Sequence, residues 1–211
     1  MRKAPRRRAL SHRHMRISQR RHARHSRYNH AMISRDLSFI VGGARSGKSA
    51  HAERLAAASG LAVTYIATAQ IADDEFAARV EHHRARRPAQ WEVVEAPLDL
   101  AGALAAAAQP ERCVLIDCLT LWLANLLCPP DGSAPRADAQ ARLDAFVATC
   151  GEAAGKVIVV SNEIGLGVVP LGAVTRHYVD ELGRLNQRIA ALATHATLMV
   201  AGLPLVLKGG Q

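Results

Sequence analysis

Aromatic residues and cysteines are scarce in this sequence of 211 residues. Phe, Tyr and Trp together make up 4% of it, and no two of its four cysteines form a Cys-x-x-Cys pair. A zinc site or a disulfide framework is therefore not expected. Ala, Leu and Val supply most of the apolar residues, which favours an α/β protein whose helices pack on a sheet. The four cysteines are Cys113, Cys118, Cys128 and Cys150.

A long apolar segment is also missing. The longest run, residues 113–127, is interrupted by Asp117, Thr120 and Asn125, and it is shorter than the roughly 20 residues that cross a bilayer. The N-terminus is charged, but the apolar segment of a secretory signal does not follow it. We therefore expect a cytoplasmic protein without a membrane partner.

Acidic residues are absent from residues 1–31, which contain eleven of the 27 Lys and Arg residues. The other 16 basic residues are accompanied by all 18 acidic ones, so the net charge of +9 belongs to the N-terminal segment. A strongly basic fold would indicate a nucleic-acid partner, but the rest of this chain is close to neutral. No nucleic-acid partner is expected for it.

The composition of residues 1–31 is typical of a disordered segment. It fits a nucleic-acid-binding arm, an organelle transit peptide, or a translated stretch upstream of a start at Met32. The third interpretation is favoured, because Met32 lies five residues before the first predicted strand. We divide the chain into a basic disordered tail or mistaken start, 1–36, and a folded domain, 37–211.

Short apolar runs alternate with helical patterns throughout residues 37–211. Continuous apolar strands that alternate with helices predict a mainly parallel sheet with helices on both faces. The predicted strands are 37–41, 62–67, 91–95, 113–116, 157–160 and 197–202, with 205–208 pairing with the last of them at the edge. The predicted helices are 49–58, 73–86, 98–108, 139–150 and 177–193.

The first predicted strand leads into a glycine-rich loop that matches the Walker A pattern. Glycines let backbone N–H groups approach phosphate oxygens closely, and the helix N-terminus that follows attracts anions. Lys48 would reach the β- and γ-phosphates, and the Ser49 hydroxyl would bind Mg²⁺. The sequence thus predicts that 37–211 is a P-loop nucleotide-binding catalytic domain. The loop reads Gly42-Gly43-Ala44-Arg45-Ser46-Gly47-Lys48-Ser49.

Two later strands also end in polar residues. Asp117 ends an apolar strand as a Walker B carboxylate does, and it would help to hold Mg²⁺. Ser161, Asn162 and Glu163 follow the strand 157–160. Functional residues of open α/β sheets gather at the carboxyl ends of strands. Glu163 could therefore act as a base or position a metal-bound water, while Asn162 fits a functional and a turn role equally well.

His82 and His83 lie among arginines on the predicted helix 73–86. By composition alone this is a solvated helix face. An imidazole among cations is, however, also a plausible nucleophile toward a nucleotide phosphate, because the arginines would neutralise the developing charge.

The P-loop and the following His51-Ala52-Glu53 resemble the bifunctional adenosylcobinamide kinase and adenosylcobinamide-phosphate guanylyltransferase family of cobalamin biosynthesis. The resemblance runs in order from about residue 38 to the C-terminus and does not cover residues 1–31. The other segments that resemble the family are 65–70, 79–83, 87–91, 117–127, 161–170 and 183–187.

The resemblance implies a RecA-like P-loop fold, a homotrimer and two reactions. In the first, ATP or GTP phosphorylates the aminopropanol hydroxyl of adenosylcobinamide. In the second, GTP guanylylates a histidine, which corresponds to His82, and the GMP then moves to the cobinamide phosphate. A covalent intermediate of this kind divides one transfer into two steps.

The resemblance also extends the list of expected site residues. His82 and Lys48 are the expected catalytic residues, and Ser49 and Asp117 are the expected Mg²⁺ ligands. His51, just past the P-loop, is either a phosphate contact or a rival nucleophile. Outside the P-loop, the expected nucleotide-binding residues are Thr68, Ala69, Gln70, Arg87, Pro88, Ala89, Glu95 and Asp117. Arg79, Arg84 and Arg87 are candidates for stabilising charge, and Glu95 for contacting guanine or ribose.

Three other functions stay open on the sequence. The protein could be a kinase only, with an inert His82. It could be a nucleic-acid-binding ATPase, which the basic segment and a RecA-like sheet would suggest. It could also be a sensor that binds GTP without consuming it.

Overall fold

The computed structural model describes Met1, residues 36–70 and residues 88–210. The predicted helix 73–86 lies outside the described residues, as does the predicted tail apart from Met1 and Asp36. Both therefore stay predictions, and the architecture below is that of the described residues.

Seven strands and five helices follow one another along the described chain. The strands are β1 (Asp36–Gly42), β2 (Ala62–Ala67), β3 (Glu92–Glu95), β4 (Arg112–Asp117), β5 (Lys156–Asn162), β6 (His195–Val200) and β7 (Leu203–Lys208). The helices are α1 (Lys48–Ala58), α2 (Leu100–Ala107), α3 (Leu119–Leu127), α4 (Ala139–Glu152) and α5 (Ala173–Leu192).

The strands form one sheet in the order β3-β2-β4-β5-β1-β6-β7. Every neighbouring pair is parallel except β6 and β7, which are antiparallel. The prediction of a mainly parallel sheet is confirmed. The carboxyl ends of the six parallel strands consequently meet at one edge, which we call the carboxyl edge.

Hydrophobic cores lie on both faces of this sheet because successive side chains of a strand point to opposite sides. Leu37 and Phe39 of β1 pack into the core that α2, α3, α4 and α5 cover. Ile40 packs into the other core together with Ala52 and Ala56 of α1. The prediction of helices on both faces is confirmed for the described helices.

The turn between β6 and β7 corrects the prediction that one strand runs through 197–202. Strand β6 ends at Val200. Ala201 and Gly202 have φ values of 51° and 82°, in the left-handed region that a tight two-residue hairpin requires. The chain therefore reverses at these residues, and β7 returns beside β6. Among the described helices, none is long and apolar enough to span a membrane.

Candidate active site

The P-loop connects the carboxyl end of β1 to the N-terminus of α1. Arg45 and Gly47 have φ values of 54° and 93°, so the backbone is left-handed at both positions, a conformation that glycine adopts without a steric penalty. Gly47 is the N-cap of α1, and no side chain caps the helix there. The first N–H groups of α1 therefore face the loop, as an anion site requires.

Close packing explains the glycine at position 42. A Cβ atom at Gly42 would overlap the Met199 carbonyl of β6 and lie 2.9 Å from the Ser46 hydroxyl. The turn after β6 also supports the loop, because the Gly202 N–H donates to the Ser46 carbonyl at 3.0 Å. The loop is thus held by residues that follow it by more than 150 positions.

Lys48 is buried within the loop, with 8% of its surface exposed. Its Nζ donates to the Gly43 carbonyl at 2.7 Å. Burial lowers the pKa of Lys48, and the nearby Cys118 and Asp117 offset part of that shift. A buried ammonium group beside a neutral carbonyl would be stabilised by the negative charge of a phosphate.

Ser46 carries a buried hydroxyl that has no hydrogen-bond partner among the described residues. Leaving such a group unpaired costs stability. The hydroxyl lies in the P-loop, whose backbone shape is that of a phosphate cradle, and a phosphate oxygen would satisfy it. The unpaired Ser46 hydroxyl therefore fits a loop that binds the phosphate of a nucleotide.

Asp117 ends β4 at the carboxyl edge. Its Oδ2 accepts a hydrogen bond from the Tyr65 hydroxyl at 3.0 Å, and the peptide bond to Cys118 is cis. Thr68 Oγ1 donates to the Cys118 carbonyl at 2.7 Å and accepts from its N–H at 2.9 Å. The Thr68 hydroxyl is therefore occupied in holding the backbone after Asp117, and its role in nucleotide binding stays a prediction.

A buried network fixes the carboxyl end of β5. The Ser161 hydroxyl donates to Asn186 Oδ1 of α5 at 2.7 Å, and Asn186 Nδ2 donates to the Asn162 carbonyl at 3.0 Å. The Asn162 N–H in turn donates to the Thr120 hydroxyl at 2.9 Å. The polar residues Ser161 and Asn162 thus connect β5 to its neighbouring helices.

Glu163 lies directly beside the P-loop. Its N–H donates to the Gly42 carbonyl at 3.0 Å. Its Oε1 accepts from the Gly165 N–H at 2.8 Å, which fixes the carboxylate at the start of the following loop. The sequence interpretation of Glu163 as a base is therefore compatible with its place, although one of its oxygens is already engaged.

The strand register brings several predicted residues to the carboxyl edge. Gly42 is paired with Asn162, and Asp117 with Val160 of the same strand. Glu95 ends β3, the strand farthest from the P-loop on that side of the sheet. Ala69, Gln70, Pro88 and Ala89 border the gap in the described residues. His82, His83, Arg79, Arg84 and Arg87 lie within that gap, so their assignments stay predictions.

His51 is less suited to nucleophilic attack than its place in the sequence indicates. Its Nδ1 lies 3.3 Å from the Arg54 guanidinium, which is only a donor, so Nδ1 accepts. Burial, with a smaller effect from Arg54, lowers the pKa of His51 and favours its neutral form. With Nδ1 accepting from Arg54, the neutral ring carries its proton on Nε2, and the role of His51 stays a prediction.

Two residues of the site, Asn186 and Tyr65, have supporting roles that the pattern of residue types signals. Asn186 falls on the apolar face of α5, between Leu185 and Ile189, and a polar residue there predicts a buried hydrogen bond. Tyr65 sits in the buried strand β2, where its hydroxyl needs a partner. The supporting roles of Met199 and Gly202 have no such signal in the sequence, because these two residues contact the P-loop through their backbone atoms.

The amino-acid sequence matches the family model described as cobinamide kinase / cobinamide phosphate guanyltransferase over residues 38–207. The chain belongs to this family. The resemblance stated from the motifs is thereby confirmed.

Curated relatives extend the family match over nearly their whole length. The chain is 56% identical to the bifunctional adenosylcobalamin biosynthesis protein CobP of Pseudomonas aeruginosa, over 83% of this chain and 98% of the relative. It is 41% identical to the bifunctional adenosylcobalamin biosynthesis protein CobU of Escherichia coli, over 80% of this chain and 98% of the relative.

Solved structures of other proteins are more distantly similar. The RadB recombinase is 16% identical, with a TM-score of 0.43 over 77% of this chain and 73% of that one. The KaiC-like protein PH0186 of Pyrococcus horikoshii is 8% identical, with a TM-score of 0.41 over 77% of this chain and 70% of that one.

Proposed function

We propose that this chain phosphorylates adenosylcobinamide and then guanylylates the product, as the name of its family describes. The observation that carries the proposal is the P-loop, which has Lys48 buried in it and left-handed backbone at Arg45 and Gly47. Asp117 and Glu163 lie at the same carboxyl edge. The description of the family names cobinamide as the substrate, and we propose that its aminopropanol hydroxyl is the acceptor.

In the kinase step the P-loop holds the phosphates of ATP or GTP. The loop N–H groups, Lys48 and the Ser46 hydroxyl bind the phosphate oxygens and stabilise the charge that develops during transfer. The substrate hydroxyl oxygen bonds to the γ-phosphorus, the bond to the β-phosphate oxygen breaks, and the nucleoside diphosphate leaves. Glu163 is our candidate to accept the hydroxyl proton.

Mg²⁺ fits this site as a partner of the nucleotide. The Ser49 hydroxyl and the Asp117 carboxylate would hold it, and oxygen donors are the ligands that Mg²⁺ prefers. When bound, Mg²⁺ neutralises charge on the phosphate oxygens. The described residues contain no cluster of three His, Cys, Asp or Glu side chains for a metal, but a nucleotide-bound Mg²⁺ needs only one or two protein ligands.

In the guanylyl step His82 acts as the nucleophile toward GTP. An imidazole nitrogen bonds to the α-phosphorus, and pyrophosphate leaves as its bond to that phosphorus breaks. A phosphate oxygen of the cobinamide phosphate then bonds to the same phosphorus, and the bond to His82 breaks. The products are adenosyl-GDP-cobinamide and the free histidine.

The remaining nucleotide contacts belong to the same proposal. We assign Thr68, Ala69, Gln70, Arg87, Pro88, Ala89 and Glu95 to base, ribose or phosphate binding, and Arg79 and Arg84 to charge stabilisation. A cytoplasmic homotrimer is part of the proposal. Strand β7 supports the oligomer, because all six of its residues are exposed at a sheet edge and four of them are Leu or Val.

The experiment that tests this function uses GTP labelled at the α-phosphate, the full chain and Mg²⁺, without a corrinoid. We expect acid-labile label on the wild-type protein after a denaturing gel. The label should disappear in His82→Ala and persist in His83→Ala, while His82→Ala keeps its kinase turnover.

Two outcomes would contradict the proposal. Unlabelled wild-type protein that still binds GTP would indicate a kinase or a nucleotide sensor. A folded His82→Ala protein that loses kinase turnover would contradict the separate roles of Lys48 and His82.

A further inference from the structure

A loop of exposed apolar side chains follows β5 at the carboxyl edge. We call residues 164–171 the apolar loop. Leu166, Val168, Val169 and Leu171 are 85%, 96%, 71% and 97% exposed. A contiguous exposed apolar surface of this kind marks a binding site in many soluble proteins. We therefore expect a bound molecule to cover the apolar loop.

The apolar loop and helix α5 line a cavity of about 500 Å³ that is open on one side. Positions that recur every three or four residues on α5 line it, so one face of the helix forms a wall. These α5 positions are Arg176, Val179, Asp180, Gly183, Arg184 and Gln187. The cavity combines apolar surface from the loop with charged and amide groups from the helix.

The cavity adjoins the P-loop through Glu163. Glu163 binds the Gly42 carbonyl through its N–H and the Gly165 N–H through its carboxylate. At the other end of the loop, Arg176 Nη1 donates to the carbonyls of Pro170 and Leu171. The apolar loop is thus fixed to the P-loop at one end and to α5 at the other.

We propose that this cavity and the apolar loop bind the corrinoid substrate, an inference that rests on the proposed function. A corrinoid is a broad ring with apolar faces and peripheral amide arms. The apolar loop matches the faces, and Gln187, Asp180 and Arg184 can exchange hydrogen bonds with the amides. The ring is larger than the cavity, so one edge enters it and a face covers the loop.

The chemistry of the kinase step requires such a neighbour. The acceptor hydroxyl must reach the phosphate that the P-loop holds, because transfer needs the reacting atoms about 3–3.5 Å apart. The cavity begins at Ile164, one residue after Glu163, the proposed base. A substrate bound there lies beside both the phosphate site and that base.

Gly183 offers a steric test that does not disturb the fold. A Cβ atom at Gly183 would meet no atom within 4 Å, so a larger side chain extends into the cavity. Leucine is also preferred over glycine inside a helix. Gly151 of α4 has equally open space and does not line the cavity, so Gly151→Leu is the matched control for Gly183→Leu.

The dissociation constant of adenosylcobinamide, measured by equilibrium dialysis with the full chain, decides the proposal. We expect Gly183→Leu to raise it at least tenfold and Gly151→Leu to leave it within twofold of wild type. Sedimentation and thermal unfolding should be the same for all three proteins. A second variant, Val168→Ser, removes apolar surface from the loop and should also raise the constant severalfold.

Three results would overturn the proposal. One is a dissociation constant for Gly183→Leu within twofold of wild type. Another is a change of sedimentation that accompanies the loss of corrinoid binding, because the loop then contacts a second copy of the chain. The third is a wild-type protein that does not bind adenosylcobinamide. Wild-type protein that binds adenosylcobinamide but takes no label from GTP would leave the cavity assigned and contradict only the guanylyl half of the proposed function.

Discussion

At the scale of single residues, Lys48 shows how burial prepares a cation for a phosphate. Its ammonium group is removed from water and paired with the Gly43 carbonyl. Desolvation of a cation beside a neutral acceptor is unfavourable, and burial accordingly lowers its pKa. A nucleotide phosphate relieves this cost, so the burial of Lys48 contributes to the affinity for nucleotide.

We predict that Lys48→Ala weakens GTP binding about 10- to 150-fold, which corresponds to a charge-assisted hydrogen bond of about 1.5–3 kcal/mol. Both activities should be lost at ordinary GTP concentrations. Lys208→Ala is the matched control, because Lys208 Nζ binds the Ala190 and Ala191 carbonyls at the end of α5. Isothermal titration with GTP measures both variants, and an unchanged affinity in Lys48→Ala would contradict the assigned role.

The roles of single residues could be predicted where a pattern exists. The position of the P-loop between β1 and α1 follows from its sequence, because the spacing of its residues encodes a backbone shape. Thr68 is predicted to contact the nucleotide, and its hydroxyl in addition binds the Cys118 backbone, a use that the sequence does not predict. That use depends on a contact between residues 50 positions apart, and no local pattern of residue types reports such a contact.

At the scale of elements, two buried serines have opposite relations to their surroundings. Ser161 joins β5 to α5 through Asn186, whereas Ser46 lacks a partner in the described part of the chain. The first hydroxyl contributes to the fold, and the second represents a cost that a ligand would remove.

We predict that Ser161→Ala lowers the free energy of unfolding by about 1–3 kcal/mol, because it leaves the Asn186 amide oxygen buried without its donor. Ser46→Ala should leave that free energy unchanged or higher in the absence of nucleotide. Urea unfolding without nucleotide measures both. With saturating GTP, Ser46→Ala should gain less stability than wild type, and an equal gain would show that the Ser46 hydroxyl does not bind the phosphate.

The elements themselves were largely predictable, with instructive exceptions. The strand 113–116 and the sheet edge at β7 follow from apolar runs and turn residues. Helix α3 was not assigned, because its apolar sequence continues directly from β4 and periodicity does not separate the two. Asn125, which looked like a mere interruption of this run, donates to the carbonyls of Thr68 and Pro97. Helix α5 begins at Ala173, before the amphipathic pattern starts.

At the scale of the whole molecule, three buried thiols make the free energy of unfolding depend on pH in the alkaline range. Burial raises the pKa of Cys113 and of Cys118 to about 11 and that of Cys150 to about 12, from 9.0. The folded state therefore keeps these protons while the unfolded chain releases them above about pH 9. The resulting stability is fully present below pH 9 and decreases as the pH rises toward 11 or 12.

We predict that Cys150→Ala reduces the slope of the unfolding free energy against pH, between pH 9 and 11, by about 1.4 kcal/mol per pH unit, the value for one proton. Cys128→Ala is the matched control, since Cys128 is exposed, and it should leave the slope unchanged. Urea unfolding at several pH values measures the slopes. Equal slopes for wild type and Cys150→Ala would show that this thiol ionises in the folded state as well.

The hydrogen bond from Gly202 to Ser46 affects when the P-loop can fold during synthesis on the ribosome. Residues 42–49 are synthesised before most of the fold, but the backbone that packs against them comes from Met199 and Gly202 of the β6–β7 hairpin, which is synthesised much later. A nascent chain of which only the first strands have left the ribosome lacks these contacts. Nucleotide binding is therefore expected to begin only after the β6–β7 hairpin has emerged from the ribosome.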